Sequence, residues 1–307
     1  MGSILTTNAL SKKYKNHMAV NCVDMNIDKG DIYGFVGENG SGKTTVIRLI
    51  TGLISPYSGS FSLFGVDNSS KDIGSARSRI GAIVEKPSIY MNMSAYDNLK
   101  TQCTILGIED NGKIVSVLKD VGLESVYADK KHASNFSLGM RQRLGIAMAL
   151  LGDPEFLILD EPLNGLDPAG IVEIRELILK LNKERGITFL ISSHILTELS
   201  LVATKYGIIS KGKIIKEITA EQLHNECSKN TEITADEPKK LLEVISGIIP
   251  QDRVKDIQNG VRIMGEVDLT ETLSALISAG IKILSVNCNE TSFEEYYLSV
   301  IGGGVHE

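Results

Sequence analysis

Through the first two-thirds of the chain, short apolar runs alternate with longer stretches of helical periodicity, a pattern that predicts a three-layer α/β domain. The runs Asp31–Val36, Ile80–Val84, Phe156–Leu159, Thr188–Ile191 and Tyr206–Ile209 read as strands, and helices are expected to begin near Lys43, Ser94, Leu138, Pro168 and Ile195. Lys211-Gly212-Lys213, set between two β-rich runs, has the chemistry of a hairpin turn and marks the expected end of a domain spanning residues 1–219. From residue 220 to 307 the order is strand (230–235), helix (237–246), strand (252–257), a turn at Asn259-Gly260, strand (261–266), helix (268–279), strand (281–287) and helix (292–300). That β-α-β-β-α-β order with one further helix predicts a small α+β domain of ferredoxin-like type.

Charge sharpens the division. The net charge of −6 over 307 residues is uneven: residues 1–219 hold 25 basic and 23 acidic side chains, and residues 220–307 hold 7 and 15. The acidity therefore belongs to the tail, and no nucleic-acid partner is expected of the chain as a whole. No apolar run reaches the length of about 18 residues that a spanning helix needs; the longest, around Phe189–Ile195, contains Ser192, Ser193 and His194. Met1-Gly2-Ser3-Ile4-Leu5-Thr6 fits the letters of a myristoylation pattern, but Ile4 reads as the start of a buried strand, and neither a lipid anchor nor a signal peptide is expected. Cys22, Cys103, Cys227 and Cys288 are widely spaced, with no paired motif and no histidine cluster nearby, so the expected compartment is the reducing cytosol.

The chemistry starts at Gly37-Glu38-Asn39-Gly40-Ser41-Gly42-Lys43-Thr44, which follows a predicted strand and opens a predicted helix. Glycines allow such a loop to wrap phosphates with its backbone N–H groups, and the helix N-terminus favours negative charge. Lys43 would reach the β- and γ-phosphates of ATP, the Thr44 hydroxyl would ligate Mg2+, and Thr45 continues the same turn. The buried-strand run Phe156–Leu159 ends in Asp160-Glu161. An acid at such a strand end suits magnesium, which assigns Asp160, and Glu161 one residue on is placed to orient or deprotonate the attacking water.

Between these motifs, Ser137-Leu138-Gly139-Met140-Arg141-Gln142 opens a helix 23 residues before Asp160 and resembles the signature motif of ABC-type ATPases. Ser137, Gly139 and Gln142 match, while Leu138 stands where that family most often has glycine; a plain helix N-cap is the other reading of this segment. The resemblance covers residues 4–218 and implies a P-loop NTPase fold with a helical subdomain. By the same resemblance Tyr14 would stack on adenine, Asn164-Gly165-Leu166-Asp167 would cross a dimer interface with Asp167 near the nucleotide, and His194 would contact the γ-phosphate. Glu85 occupies the position of the family's usual glutamine, where its oxygen can face magnesium but adds a negative charge; simple drift between side chains of equal length is the alternative. The stretch Ile80–Leu99 and the Ser137-Leu138-Gly139-Met140 form resemble the ATPases of bacitracin- and lantibiotic-type exporters, which export peptide antibiotics or confer immunity to them.

What the resemblance implies is an ATP- and Mg2+-dependent hydrolase that forms a head-to-tail homodimer on binding ATP. It would work with separate integral membrane permease subunits, peripheral on the cytoplasmic face of the cell membrane. The segment Lys86–Asn98, with Tyr90, Met91, Met93 and Tyr96, is either the surface that docks on those subunits or packing within the helical subdomain. Two further readings remain at this point: a soluble ABC-type ATPase of DNA maintenance or translation, and the ATPase of an importer.

Overall fold

The computed structural model describes residues 2–227, 229–257, 259–265, 267–290 and 292–302. They divide into two compact units, Met1–Ala220 and Glu221–Glu307.

In the first unit, β1 (Ser3–Tyr14) and β2 (His17–Asp28) form a long antiparallel hairpin. The apolar pattern marks only the start of this hairpin, the buried strand expected at Ile4, and neither its length nor its return strand. Register shifts recur between Ser3 and Lys13, and each such bulge breaks the period-two alternation by which a half-buried strand is recognised. Next come β3 (Ile32–Val36), α1 (Lys43–Ile50), β4 (Ser58–Leu63) and β5 (Val66–Asp67). The first two strands join β4 and β5 in an antiparallel sheet of order β2-β1-β4-β5.

The chain continues through α2 (Ile73–Arg77) and β6 (Ile80–Ile83) into three helices that pack on one another, α3 (Ala95–Leu106), α4 (Asn111–Asp120) and α5 (Leu138–Leu150). It returns through β7 (Phe156–Asp160), α6 (Pro168–Arg185), β8 (Thr188–Ser193), the short α7 (Leu196–Leu199), β9 (Lys205–Ser210) and β10 (Lys213–Thr219). The second sheet has the order β10-β9-β3-β8-β7-β6 and is parallel except for β10. Every residue of β3, β7 and β8 is buried, which is why these strands read as continuous apolar runs: both faces of a parallel sheet are covered.

The helix α1 is wedged between the two sheets. Val46, Ile47, Leu49 and Ile50 are fully buried in one cluster with Leu5, Leu10, Val20 and Ile27 of the hairpin and Phe156, Ile158 and Leu190 of the parallel sheet. Truncating one such side chain to alanine costs about 2–5 kcal/mol, so the helix that opens with Lys43 is rigidly held.

α8 (Ala220–Glu226) leads into the second unit. There β11 (Lys229–Ala235), α9 (Pro238–Ile248), β12 (Val254–Ile257), β13 (Gly260–Met264), α10 (Leu269–Ser278), β14 (Ile283–Glu290) and α11 (Phe293–Gly302) follow in order. The antiparallel sheet order β12-β13-β11-β14 places β13 between β11 and β12, the arrangement of a split β-α-β unit. Its core is its own, built from Ile233, Leu241, Ile245, Val261, Ile263 and Leu276. Two strands differ from expectation. Gln251–Arg253 form a 3-10 turn ahead of β12, and β14 starts at Ile283, just after Lys282, whose N–H donates to Asp236 Oδ1 and whose carbonyl accepts the Asp236 N–H, both at 3.2 Å. The expected end of the third strand, Glu266, lies outside the described residues. Among the described residues no helix is long and apolar enough to cross a membrane.

Candidate functional site

Three neighbouring strands deliver the site. Val36 of β3 lies opposite Ser193 of β8, and Ser192 lies opposite Asp160 of β7, so the segments that follow these strands emerge side by side at the carboxyl edge of the sheet. That edge is where open parallel sheets bind ligands.

The phosphate loop spans the step from β3 to α1. Gly42, the N-cap of α1, has φ 111°, and a Cβ there would stand 2.7 Å from the Ala19 carbonyl oxygen of β2, so the position excludes any side chain. Lys43 is buried, and its Nζ donates to the Gly37 carbonyl at 2.6 Å and the Glu38 carbonyl at 3.1 Å. The same ammonium lies 3.3 Å from Glu161 Oε1, while His194 Nδ1 lies 2.7 Å from Glu161 Oε2. One carboxylate therefore bridges the loop lysine and the histidine.

Asp160, the last residue of β7, is 2% exposed. Ser192 Oγ donates to Asp160 Oδ1 at 2.6 Å and accepts the Glu161 N–H at 2.9 Å. Glu161 has φ 50°, a left-handed conformation that costs a residue with a side chain about 1–3 kcal/mol and that clusters at functional sites. The hydrogen bond from its own N–H to Ser192 Oγ helps hold it.

Asn39, Gly40, Gly42, Lys43, Thr44, Thr45 and Glu161, with Ala19, line a cavity of 190 Å³. The buried Ser41 hydroxyl has no hydrogen-bond partner, which leaves a donor in the loop for an anionic oxygen. Thr44 and the second oxygen of Asp160 offer hard oxygen donors, the kind that holds magnesium when phosphate oxygens and water fill the other positions. The residues present fit a magnesium-bound triphosphate.

A second cavity, of 580 Å³, adjoins Glu161 and is lined by Glu85, Pro87, Met91, Leu138, Arg141, Gln142 and Asn164 among others. Glu85 shares this cavity with Glu161, and its carboxylate is paired with the Arg48 guanidinium of α1. The remaining expected residues are not among those that line the phosphate cavity. Tyr14, at the end of β1, is 41% exposed with Lys12 Nζ 5.4 Å from its ring centroid, which leaves ring surface available for stacking. Ser137 caps α5, its Oγ accepting the Met140 N–H at 3.1 Å; Gly139 and Gln142 are buried in that helix. Asp167 is the N-cap residue of α6, ahead of Pro168.

Two residues escaped the sequence reading, Ser192 and Arg48. Ser192 had a usable signal, since it stands two residues before His194 at the end of a buried run. Arg48 had none, because its partner is 37 residues away.

Known proteins resemble this chain in sequence and in fold. Residues 20–164 match the family described as ABC transporter. The bacitracin transport ATP-binding protein BcrA of Bacillus licheniformis is 42% identical over 306 residues, 99% of each chain, so the match runs through the second unit as well. The lantibiotic transport ATP-binding protein SrtF of Streptococcus pyogenes is 47% identical over 208 residues, 68% of this chain and 87% of that one. Among solved structures, cbiO1 of Clostridium perfringens, part of the transporter complex cbiONQ, superposes with a TM-score of 0.66 at 27% identity, covering 74% of this chain and 92% of its own.

Proposed function

The chain belongs to the ABC transporter family of ATP-binding proteins and is an ATPase, and from that premise we propose that it powers export of, or immunity to, a peptide antibiotic or a similar amphipathic substrate. The observation that carries the reading is the near full-length likeness to a bacitracin transport protein, joined to an intact Lys43–Glu161–His194 cluster. The importer and the soluble DNA or translation readings find no support among the sequence relatives named above.

The residues do the following work. The backbone N–H groups of residues 39–44 and the α1 N-terminus receive the phosphates, and Tyr14 offers its ring to adenine. Arriving phosphates compete for Lys43, whose ammonium leaves the loop carbonyls and Glu161 for the stronger anion. Glu161 is then free to take a proton from water, with His194 at its other oxygen to hold the carboxylate in place. Magnesium, when bound through Thr44 and Asp160, would neutralise charge developing on the phosphate oxygens. Ser137, Gly139, Gln142 and Asp167 are not among the residues that line the chain's own phosphate cavity, which is compatible with their use by a second copy's nucleotide in a head-to-tail dimer.

No helix among those described can cross a membrane, so the motion would pass to separate permease subunits, with the chain peripheral on the cytoplasmic face. The docking segment divides into two roles. Tyr96 packs edge-on against Tyr127, ring centroids 5.5 Å apart, whereas Tyr90 and Met91 are exposed and form the candidate contact. Charged residues at 90 and 91 should abolish recruitment to membranes and spare ATP binding; retained recruitment would reject this surface.

The catalytic reading is tested with Glu161→Gln. ATP binding should persist, an ATP-bound dimer should accumulate in size-exclusion chromatography, and turnover should fall by about 10²–10⁴. Undiminished hydrolysis would remove Glu161 from the role of base. Purification from membranes tests the transport reading, since an integral membrane partner supports it and a ribosome or DNA partner overturns it.

A further inference from the structure

Arg48 is the residue of the buried run Val46–Ile50 that is not in the core, and its side chain, 38% exposed, leaves the last turn of α1 to meet the Glu85 carboxylate. Glu85 stands just past β6 with φ 63°, a left-handed conformation that persists only where the surroundings enforce it. Two residues on, Pro87 packs into α5 at Gly145, where a Cβ would stand 2.5 Å from the proline Cβ. The loop is thus pinned on one side to the helix that begins at Lys43 and on the other to the helix that Ser137 caps.

The charge at this point needs an explanation. Glu85 and Glu161 line the same 580 Å³ cavity, and Glu161 also lines the phosphate cavity, so a second carboxylate stands in the cavity next to the phosphates and the proposed base. Like charges there raise the cost of binding a triphosphate, and a neutral amide would not. Resting on the ATP-hydrolysing reading, we infer that Arg48 is the positioning residue for Glu85: its guanidinium anchors the loop to the phosphate-loop helix and supplies the counter-charge that makes a glutamate tolerable beside the nucleotide.

The experiment is a double-mutant cycle on the full chain, with Arg48→Gln, Glu85→Gln, the double variant and Arg48→Lys, alongside wild type and Glu161→Gln. Arg48→Gln should raise KM for MgATP about threefold to fivefold at low salt, the size an exposed charge pair supplies, with kcat changed by less than about twofold. The increase should shrink as ionic strength rises, and Arg48→Lys should recover most of it. In the Glu85→Gln background the same Arg48 substitution should change KM by less than about twofold. Equal effects in both backgrounds, or a lowered melting temperature that Glu85→Gln does not relieve, would overturn the inference and leave Arg48 a packing residue. A wild-type chain that neither binds nor hydrolyses ATP would instead bring down the functional reading, and this inference with it.

Discussion

The two units handle polar groups in opposite ways. In the first, Lys43 and Asp160 are buried together with Ser41, Gln142, Ser192 and Ser193, several of them at the carboxyl ends of β3, β7 and β8. In the second, the buried polar residues among those described are the uncharged Asn230, Thr231 and Thr272, while its charges stay at the surface, as in the Arg262–Glu232 pair across β13 and β11. Burying a charge is expensive unless partners compensate it, so a fold keeps one where it has a use. The contrast agrees with the proposed nucleotide site in Met1–Ala220, and Glu221–Glu307 has a core of its own.

The largest expected effect breaks the first side of that contrast. Lys43→Ala removes an ammonium shared by two loop carbonyls and Glu161, and ATP affinity measured by titration should fall about a hundredfold or more. On the second side, Ile263→Ala should cost about 2–5 kcal/mol of the second unit's stability in denaturant unfolding. If the units are separate in their energetics, that variant binds ATP within about twofold of wild type, and a larger loss would show that the nucleotide site depends on the appendage. Ser192→Ala is a finer probe: Asp160 loses a donor and the strained Glu161 backbone loses an acceptor, so turnover should drop about tenfold with ATP affinity little changed.

The smallest effect is read against pH. Tyr33 of β3 is fully buried and donates to Glu217 Oε1 at 2.6 Å; burial first, then the facing Glu217 carboxylate, push its hydroxyl well above its ordinary value. A raised folded-state value means that the stabilisation is complete below the unfolded tyrosine's value of about 10 and declines as pH rises beyond it. Tyr33→Phe should cost about 1 kcal/mol near neutrality and flatten the alkaline decline of the melting temperature. An unchanged alkaline slope would assign that decline to other groups.

Legibility from sequence followed locality. The parallel strands were legible because complete burial makes each a short continuous apolar run, and the phosphate loop because its glycines and lysine are adjacent in the chain. The tail's split β-α-β order could be read because its turns and helix starts have local chemistry, such as Asp268, whose carboxylate caps α10 at Thr270 and Glu271. The β1–β2 hairpin is legible only at its start, Ile4, because its bulges break the alternation long before Tyr14 closes β1.

The sequence by itself determined the chemistry on offer: a glycine loop with Lys43, an acidic pair closing a buried strand, and His194 after another. Each depends on neighbours within a few residues, whose sterics and hydrogen bonds are decided locally. Only the tertiary structure decided which side chains meet. The order β3-β8-β7 brings Lys43 and His194 onto the Glu161 carboxylate, and the wedging of α1 between two sheets sends Arg48 outward to Glu85. Those encounters span 33 to 118 residues of chain in the cases of His194 with Glu161 and Lys43 with Glu161. Strand order and core packing set such distances, and no local pattern along the chain encodes them.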